Sequence, residues 1–175
     1  MATVAERWSY ATASTPIGPL LVACTPRGVV RVAGASSAAD LAKQAQRSGR
    51  VVDLVEDARA VAPALRCLEQ WFAGQSRSFD LRVDLIGTEF ECSVWRQLQQ
   101  IPFGSTRTYG QLAQALGRPG AARAVGTATG RNPLLLVVPC HRLLGSAGLG
   151  GFSAPGGVRT KQALLEFESG LYKFR

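Results

Sequence analysis

The chain contains one histidine, His141, and it stands beside a cysteine in the tetrapeptide Pro139-Cys140-His141-Arg142. A cysteine of ordinary pKa is mostly thiol at neutral pH, so nucleophilic reactivity needs a base, a positive neighbour or a helix N-terminus. His141 and Arg142 supply the first two. Against this, buried cysteines are common and inert, so the pair alone does not define a reactive site. The apolar run Leu134-Leu135-Leu136-Val137-Val138 ahead of it reads as a buried strand or extended segment, in which neighbouring side chains point to opposite faces. Direct contact between Cys140 and His141 is then not the natural geometry, and a bridging water would connect them. That separates the pattern from papain-like hydrolases, whose cysteine and histidine meet directly and lie far apart in sequence. Glu168, near the end of the last helical segment, could orient His141 as the third member of a relay, or be a solvated terminal acid.

The charge around these residues favours a polyanionic partner. The net charge is +8 and the pI about 10.0. Residues 1–86 carry ten Lys and Arg against eight Asp and Glu, a net of +2, whereas residues 87–175 carry ten against four, a net of +6. Between Glu91 and Glu166 there is no acid but there are eight bases. An ordinary solvated surface mixes signs, so such a stretch points to nucleic acid. The four cysteines form no CxxC pair and the single histidine leaves no ordinary zinc ligand set, so neither a disulfide framework, a metal nor a cofactor is expected. No run approaches the ~18 apolar residues of a spanning helix, and no secretory pattern opens the chain; the expected location is the cytoplasm, with no membrane partner.

The elements that must position these groups fall into two halves. Residues 8–13, 20–24 and 29–33 read as strands punctuated by the turn sequences Pro16-Ile17-Gly18-Pro19 and Thr25-Pro26-Arg27-Gly28. Residues 35–50 suggest a surface helix. A firmer helix carries Val61, Leu65, Leu68 and Phe72, with Pro63 implying a start close to that residue. Residues 79–85 alternate apolar and charged side chains, as a strand with one dry face does. Composition changes at Ile86-Gly87, dividing the chain into 1–86 and 87–175. Beyond it, Thr88 with Glu91 and Thr108 with Gln111 form two capping boxes. The first opens a helix with Phe90, Val94, Leu98 and Ile101 inward; the second opens a short helix with Leu112, Ala113 and Leu116 inward. Arg118-Pro119-Gly120 then turns the chain into a helix over 121–128, giving helix-turn-helix dimensions. That helix is almost without bulk: it either lies against DNA with Arg123 as its one long side chain, or packs tightly in the interior. Residues 145–157 form a glycine-rich loop able to close over a pocket, with Phe152 and Ser153 at its middle. The last helix, from about Val158, carries Leu164, Leu165 and Phe167.

The ordered set Ile101-Pro102-Phe103-Gly104, Thr108-Tyr109, Ala122-Arg123-Ala124-Val125-Gly126, Asn132-Pro133 and Pro139-Cys140-His141-Arg142 closely resembles the O6-alkylguanine-DNA alkyltransferases, over residues 88–168. Thr15-Pro16-Ile17-Gly18-Pro19-Leu20 is similar to the start of that family's N-terminal domain. The resemblance implies a ribonuclease H-like α/β domain over 1–86, a small sheet plus helix. A mainly α-helical domain with a helix-turn-helix, which binds DNA and accepts the alkyl group, follows over 87–175. It implies irreversible, single-turnover transfer of an alkyl group from O6-alkylguanine in double-stranded DNA to Cys140 by a monomer, with O4-alkylthymine as an open second substrate. In that resemblance Cys140 is the acceptor, activated through a water by His141, which Glu168 orients. Asn132 ties the recognition helix to the active-site turn. Tyr109 contacts the target base and helps to rotate it out, and Arg123 enters the stack in its place from the minor groove. Ser153 and the carbonyls of Cys140 and Leu143 line the guanine pocket. Phe152 stands where many members have tyrosine.

Three rivals remain at this point. A non-reacting lesion-recognition module of the same fold would carry another residue at the acceptor position. A transcription factor would need base-reading side chains on the third helix, where only Arg123 is long. A cysteine hydrolase would turn over many times.

Overall fold

The computed structural model describes residues 5–34 and 36–174. The chain forms two compact units, Met1–Ile86 and Gly87–Arg175. In the first, β1 (Glu6–Ala13), β2 (Leu20–Thr25), β3 (Gly28–Gly34) and β4 (Val52–Glu56) form one sheet in the order β3-β2-β1-β4. The two hairpins are antiparallel, and β4 returns parallel to β1 after helix α1 (Ala38–Arg47). Strand periodicity divides the buried side chains between two faces. Trp8, Leu21, Ala23 and Val30 pack with Leu41 and Ala45 of α1. Ala11, Leu20 and Val22, of opposite parity and equally buried, face the side covered by α2 (Ala58–Phe72), which lies against β1 and β2. A small sheet with helices is therefore present, as the sequence implied.

Three local expectations need correction. β4 carried no clear alternation and was not anticipated. Helix α2 begins five residues before Pro63, because Asp57 caps it by accepting from the Arg59 and Ala60 amides (both 3.1 Å). Pro63 then removes one interior hydrogen bond without ending the helix. Ala64 and Trp71 complete its buried face, while Leu65 is only half-buried. Residues 79–85 do not form a strand: only Val83 bridges to Val29, and Asp84, on the expected wet face, is buried. It accepts a forked pair from Arg50 (2.5 and 3.0 Å) and a hydrogen bond from Thr25 (2.8 Å), so an ion pair ties this segment down in place of a ladder.

Gly28 makes the β2–β3 turn possible. Its φ is +146°, and a Cβ there would overlap the carbonyl of Arg82, which accepts the Val29 amide. Gly28→Ala is expected to cost about 1–3 kcal/mol of stability, read as a lower urea midpoint. An unchanged midpoint would show that residues 82–84 can move aside.

The second unit is mainly helical: α3 (Glu89–Gln99), α4 (Tyr109–Ala115), α5 (Ala122–Gly130) and α6 (Gly157–Glu168), with two-residue strands β5 (Arg107–Thr108) and β6 (Leu143–Leu144). Both capping boxes form, on α3 and α4. Helix α5 packs on α3 and α4 through Val125, Ala128 and Thr129, and the Trp95 indole of α3 donates to the Ala128 carbonyl at 2.9 Å, buried. One face of α5 is therefore interior, while Arg123, Ala124, Thr127 and Gly130 are exposed on the other. Among the described residues, no helix is long and apolar enough to cross a membrane.

Candidate active site

The run 134–138 is buried but is not a strand. Leu136 adopts φ +71° and the Val137 amide reaches back to the Leu135 carbonyl at 2.9 Å, a tight reversal that an apolar run does not announce. Asn132 fixes this reversal from both sides: its Nδ2 donates to the Val138 carbonyl (2.8 Å) and its Oδ1 accepts from the Leu134 amide (2.9 Å). The chain then enters a single 3-10 turn, Cys140–Arg142, rather than the extended conformation expected there. In such a turn successive side chains diverge by about 120°. Cys140 and His141 therefore still point apart, though for a different reason.

After the turn, β6 pairs in parallel with β5, Arg107 opposite Leu143 and Thr108 opposite Leu144. Tyr109, the first residue of α4, follows β5 directly and is thereby delivered to the wall of a cavity of about 320 Å3. Cys140 forms part of the same wall, Gly126, Thr129 and Gly130 come from α5, and Gly151, Phe152 and Ser153 from the loop. This lies at the lower end of the about 300–1,000 Å3 typical of small-ligand pockets. Leu143 is fully buried, and its carbonyl accepts from Lys161 Nζ at 2.6 Å; it does not line the cavity. Arg123 is exposed on α5, outside the cavity lining, with no carboxylate in ion-pair reach among the described residues.

Behind the cysteine, His141 Nε2 lies 2.7 Å from Glu168 Oε1, and both side chains are inaccessible. Arg142 turns onto the same carboxylate through Nε (2.9 and 3.1 Å) and Nη2 (2.8 Å), while its Nη1 donates to the Ile101 carbonyl (2.6 Å). The Gly104 amide adds a further bond at 3.0 Å. Burial alone would raise the Glu168 pKa, but the hydrogen bonds from His141 and Arg142 with the Gly104 amide outweigh it and hold the carboxyl at about 2. Burial pushes His141 down and Glu168 pulls it up, with the Arg142 and Lys161 charges opposing; the net is downward, so the ring is neutral at pH 7 and able to accept a proton. Cys140 is pushed up by burial, opposed by a hydrogen bond from Asn132, the charge of Lys161 and the backbone amides of Cys140 and His141. Its resting form is the thiol. Tyr109 is raised by burial and by a negative Cys140, so its hydroxyl remains a donor.

The sequence alone does not disclose the part that several further residues play. Arg142 was read as a positive neighbour of the thiol, but its charge is taken up by Glu168. Lys161, which the sequence offers only as one of eight bases in the acid-free stretch, is fully buried. Its signal was present: 161, 164 and 168 recur on one helical face with an apolar leucine between two charges, which marks buried, partnered charge. Gly126, within the helix expected over 121–128, lines the cavity, and so do Thr129 and Gly130, which lie beyond that expected helix.

Residues 8–85 match the family model of the 6-O-methylguanine DNA methyltransferase ribonuclease-like domain, and residues 89–170 match that of the 6-O-methylguanine DNA methyltransferase DNA binding domain. The chain is 44% identical over 160 residues to the methylated-DNA–protein-cysteine methyltransferase of Mycolicibacterium paratuberculosis (91% of each chain). It is 39% identical to that of Methanosarcina barkeri (91% of this chain, 96% of the relative). Among solved structures it is similar to Mycobacterium tuberculosis OGT in complex with DNA, with a TM-score of 0.79, 38% identity and 95% of both chains covered.

Proposed function

The chain belongs to the 6-O-methylguanine DNA methyltransferase family, and we propose from that membership and from the geometry of its cavity that Cys140 is the acceptor of the alkyl group. The protein repairs DNA by direct reversal, a methyltransferase that moves the group from O6-alkylguanine to a cysteine of its own. The observation that carries the assignment is the placement of Cys140 in the cavity wall with the neutral His141 and its ionised partner Glu168 behind it.

In this reading the Cys140 proton passes through a water to His141, and the thiolate attacks the alkyl carbon in line. The S–C bond forms as the C–O6 bond breaks, and the bonding pair leaves with the guanine, which takes up the proton. Tyr109 donates a hydrogen bond to the base and lowers the charge that develops on it. The product is a thioether with no hydrolysable bond, so each molecule acts once. One chain supplies all of these groups, and we read the acting species as a monomer. An acceptor thiol needs a reducing compartment, and all four cysteines are free, which supports a cytoplasmic location.

Residues 87–175 bind the DNA in this reading, with α5 in the minor groove, where exposed Ala124, Thr127 and Gly130 permit close approach. The nucleotide is flipped into the cavity at a cost of a few kcal/mol, offset in part by Arg123 filling the gap. Arg123→Ala is expected to slow repair of duplex DNA by on the order of tenfold, equivalent to about 1.4 kcal/mol, while sparing reaction with the free alkylated base. Equal loss on both substrates would remove the finger role.

The test of the acceptor is intact-protein mass after mixing with excess duplex containing O6-methylguanine, followed by peptide mapping. The expected result is a gain of one CH2 on Cys140 and no further gain with time. Binding without a mass change would instead make the chain a lesion-recognition module.

A further inference from the structure

We propose that Lys161 is a positioning residue for the transfer, its buried ammonium tying the turn that carries Cys140 to the loop over the cavity and holding a positive charge for the thiolate. This rests on Cys140 being the acceptor.

Lys161 Nζ donates to the carbonyls of Leu143 (2.6 Å), Gly151 (3.2 Å) and Leu149. Three donors meet three acceptors, which satisfies an ammonium geometrically. Leu143 directly follows the 3-10 turn, and Gly151 is part of the cavity wall. Gly145, Gly148, Gly150 and Gly151 leave the loop with few side chains to fix it, and the lysine holds it through the backbone carbonyls of Leu149 and Gly151.

The charge matters as much as the hydrogen bonds. The side chain is 0% exposed, and its partners are neutral dipoles. Among the described residues no carboxylate lies within ion-pair distance of it, since Glu168, on the same helix, is engaged by His141 and Arg142. A buried ammonium without a counter-ion is costly, and burial lowers its pKa accordingly. The missing anion appears only when Cys140 ionises: the thiolate raises Lys161, and Lys161 in turn lowers Cys140. The other polar and charged groups around the sulfur do not supply this charge. Tyr109 of α4 and Asn132 are neutral, His141 is neutral, and Arg142 is neutralised by Glu168. Lys161 therefore favours the ionised state over the resting thiol, the condition for accelerating the step rather than tightening binding.

The test uses the full chain with Lys161→Met and follows, against pH, both iodoacetamide labelling of Cys140 and transfer from O6-methylguanine duplex. The thiolate limb is expected to move up by about one pH unit, and transfer at neutral pH to fall about tenfold and recover as pH rises. A loss by one common factor at every pH, with the limb unmoved, would reduce Lys161 to a strut. Should the variant fail to fold, the wild type answers the same question. The chain has three lysines, Lys43, Lys161 and Lys173, so Nζ titrations by NMR can be assigned. Methylation of Cys140 prevents the anion from forming as pH is raised through the titration, and the Lys161 pKa is then expected to fall; an unchanged value overturns the proposal. Cys140→Ser is the control for the underlying reading: alkyl uptake by that variant would sink the acceptor assignment itself, independently of Lys161.

Discussion

Cys140→Ala is expected to abolish alkyl transfer while leaving binding to alkylated duplex intact, measured as label incorporation against gel retardation. The substitution removes one atom from the cavity wall. Alanine suits the 3-10 turn, and Asn132 still holds the preceding reversal through Val138 and Leu134, so the stability cost is about 1 kcal/mol or less. The remaining thiols are not part of the cavity wall. Burial pushes Cys24 in the first unit up to about 11, Cys67 lies on α2 of that unit, and Cys92 is buried with its sulfur directed at the Gly87 carbonyl. Because Arg123 and the exposed face of α5 are unchanged, the variant is expected, on the proposed docking of α5, to engage the lesion without discharging it. Residual stoichiometric labelling would move the nucleophile elsewhere and dissolve the relay behind Cys140.

Local signals in the sequence located most elements. Capping boxes at Thr88 and Thr108 and the turn sequences of the first unit depend on neighbours within a few residues, and these formed where expected. The failures have separate causes, one of them a partner distant in sequence and two of them local geometry that hydrophobic period does not encode. Asp84 reads as the wet side of a strand until Arg50, 34 residues away, arrives to pair with it. Pro63 reads as a helix start because the cap at Asp57 depends on side-chain geometry rather than on hydrophobic period. Leu136 reads as strand because nothing in a run of leucines and valines states that one of them must take a positive φ.

The same division holds within the candidate site. Cys140 and His141 were legible as residue types, and Glu168 only as one of two outcomes, since a carboxylate twenty-seven residues from the histidine gives no local sign of burial. The cavity was legible in part: the loop over residues 145–157 reads as able to close over a pocket, but the wall that Thr129 and Gly130 supply does not show in the sequence. Its geometry depends on the two-residue pairing of β5 with β6, too short to leave a pattern, which brings Tyr109 and Cys140 to one wall with Phe152 and Ser153 of the loop. Arg142 was visible as a charge, but its direction was not: in the 3-10 turn it faces α6 rather than the sulfur.

Arg142 is accordingly where the second large effect is expected. Arg142→Met should cost about 3–5 kcal/mol, because it strands a buried carboxylate and unpairs the Ile101 carbonyl. The chemical consequence is separate. With Arg142 gone, the Glu168 charge acts on His141 without the opposing guanidinium, so the ring pKa is expected to rise against the downward pull of burial and the share of imidazolium to grow. An imidazolium cannot take the Cys140 proton, and transfer is expected to fall as that share grows, by up to about 10²–10⁴. Since His141 is the only histidine, its ring protons titrate without ambiguity by NMR. Arg142→Lys keeps the charge but not the fork, and should leave the ring neutral while recovering part of the rate. In the wild type Glu168 titrates at about 2 when folded against an ordinary 4.5. Its contribution to stability is therefore complete above about 4.5 and is lost as pH falls toward about 2, and Arg142→Met should flatten this acid limb. If His141 remains neutral in the methionine variant, Arg142 is a packing residue and the neutrality of the base comes from burial alone.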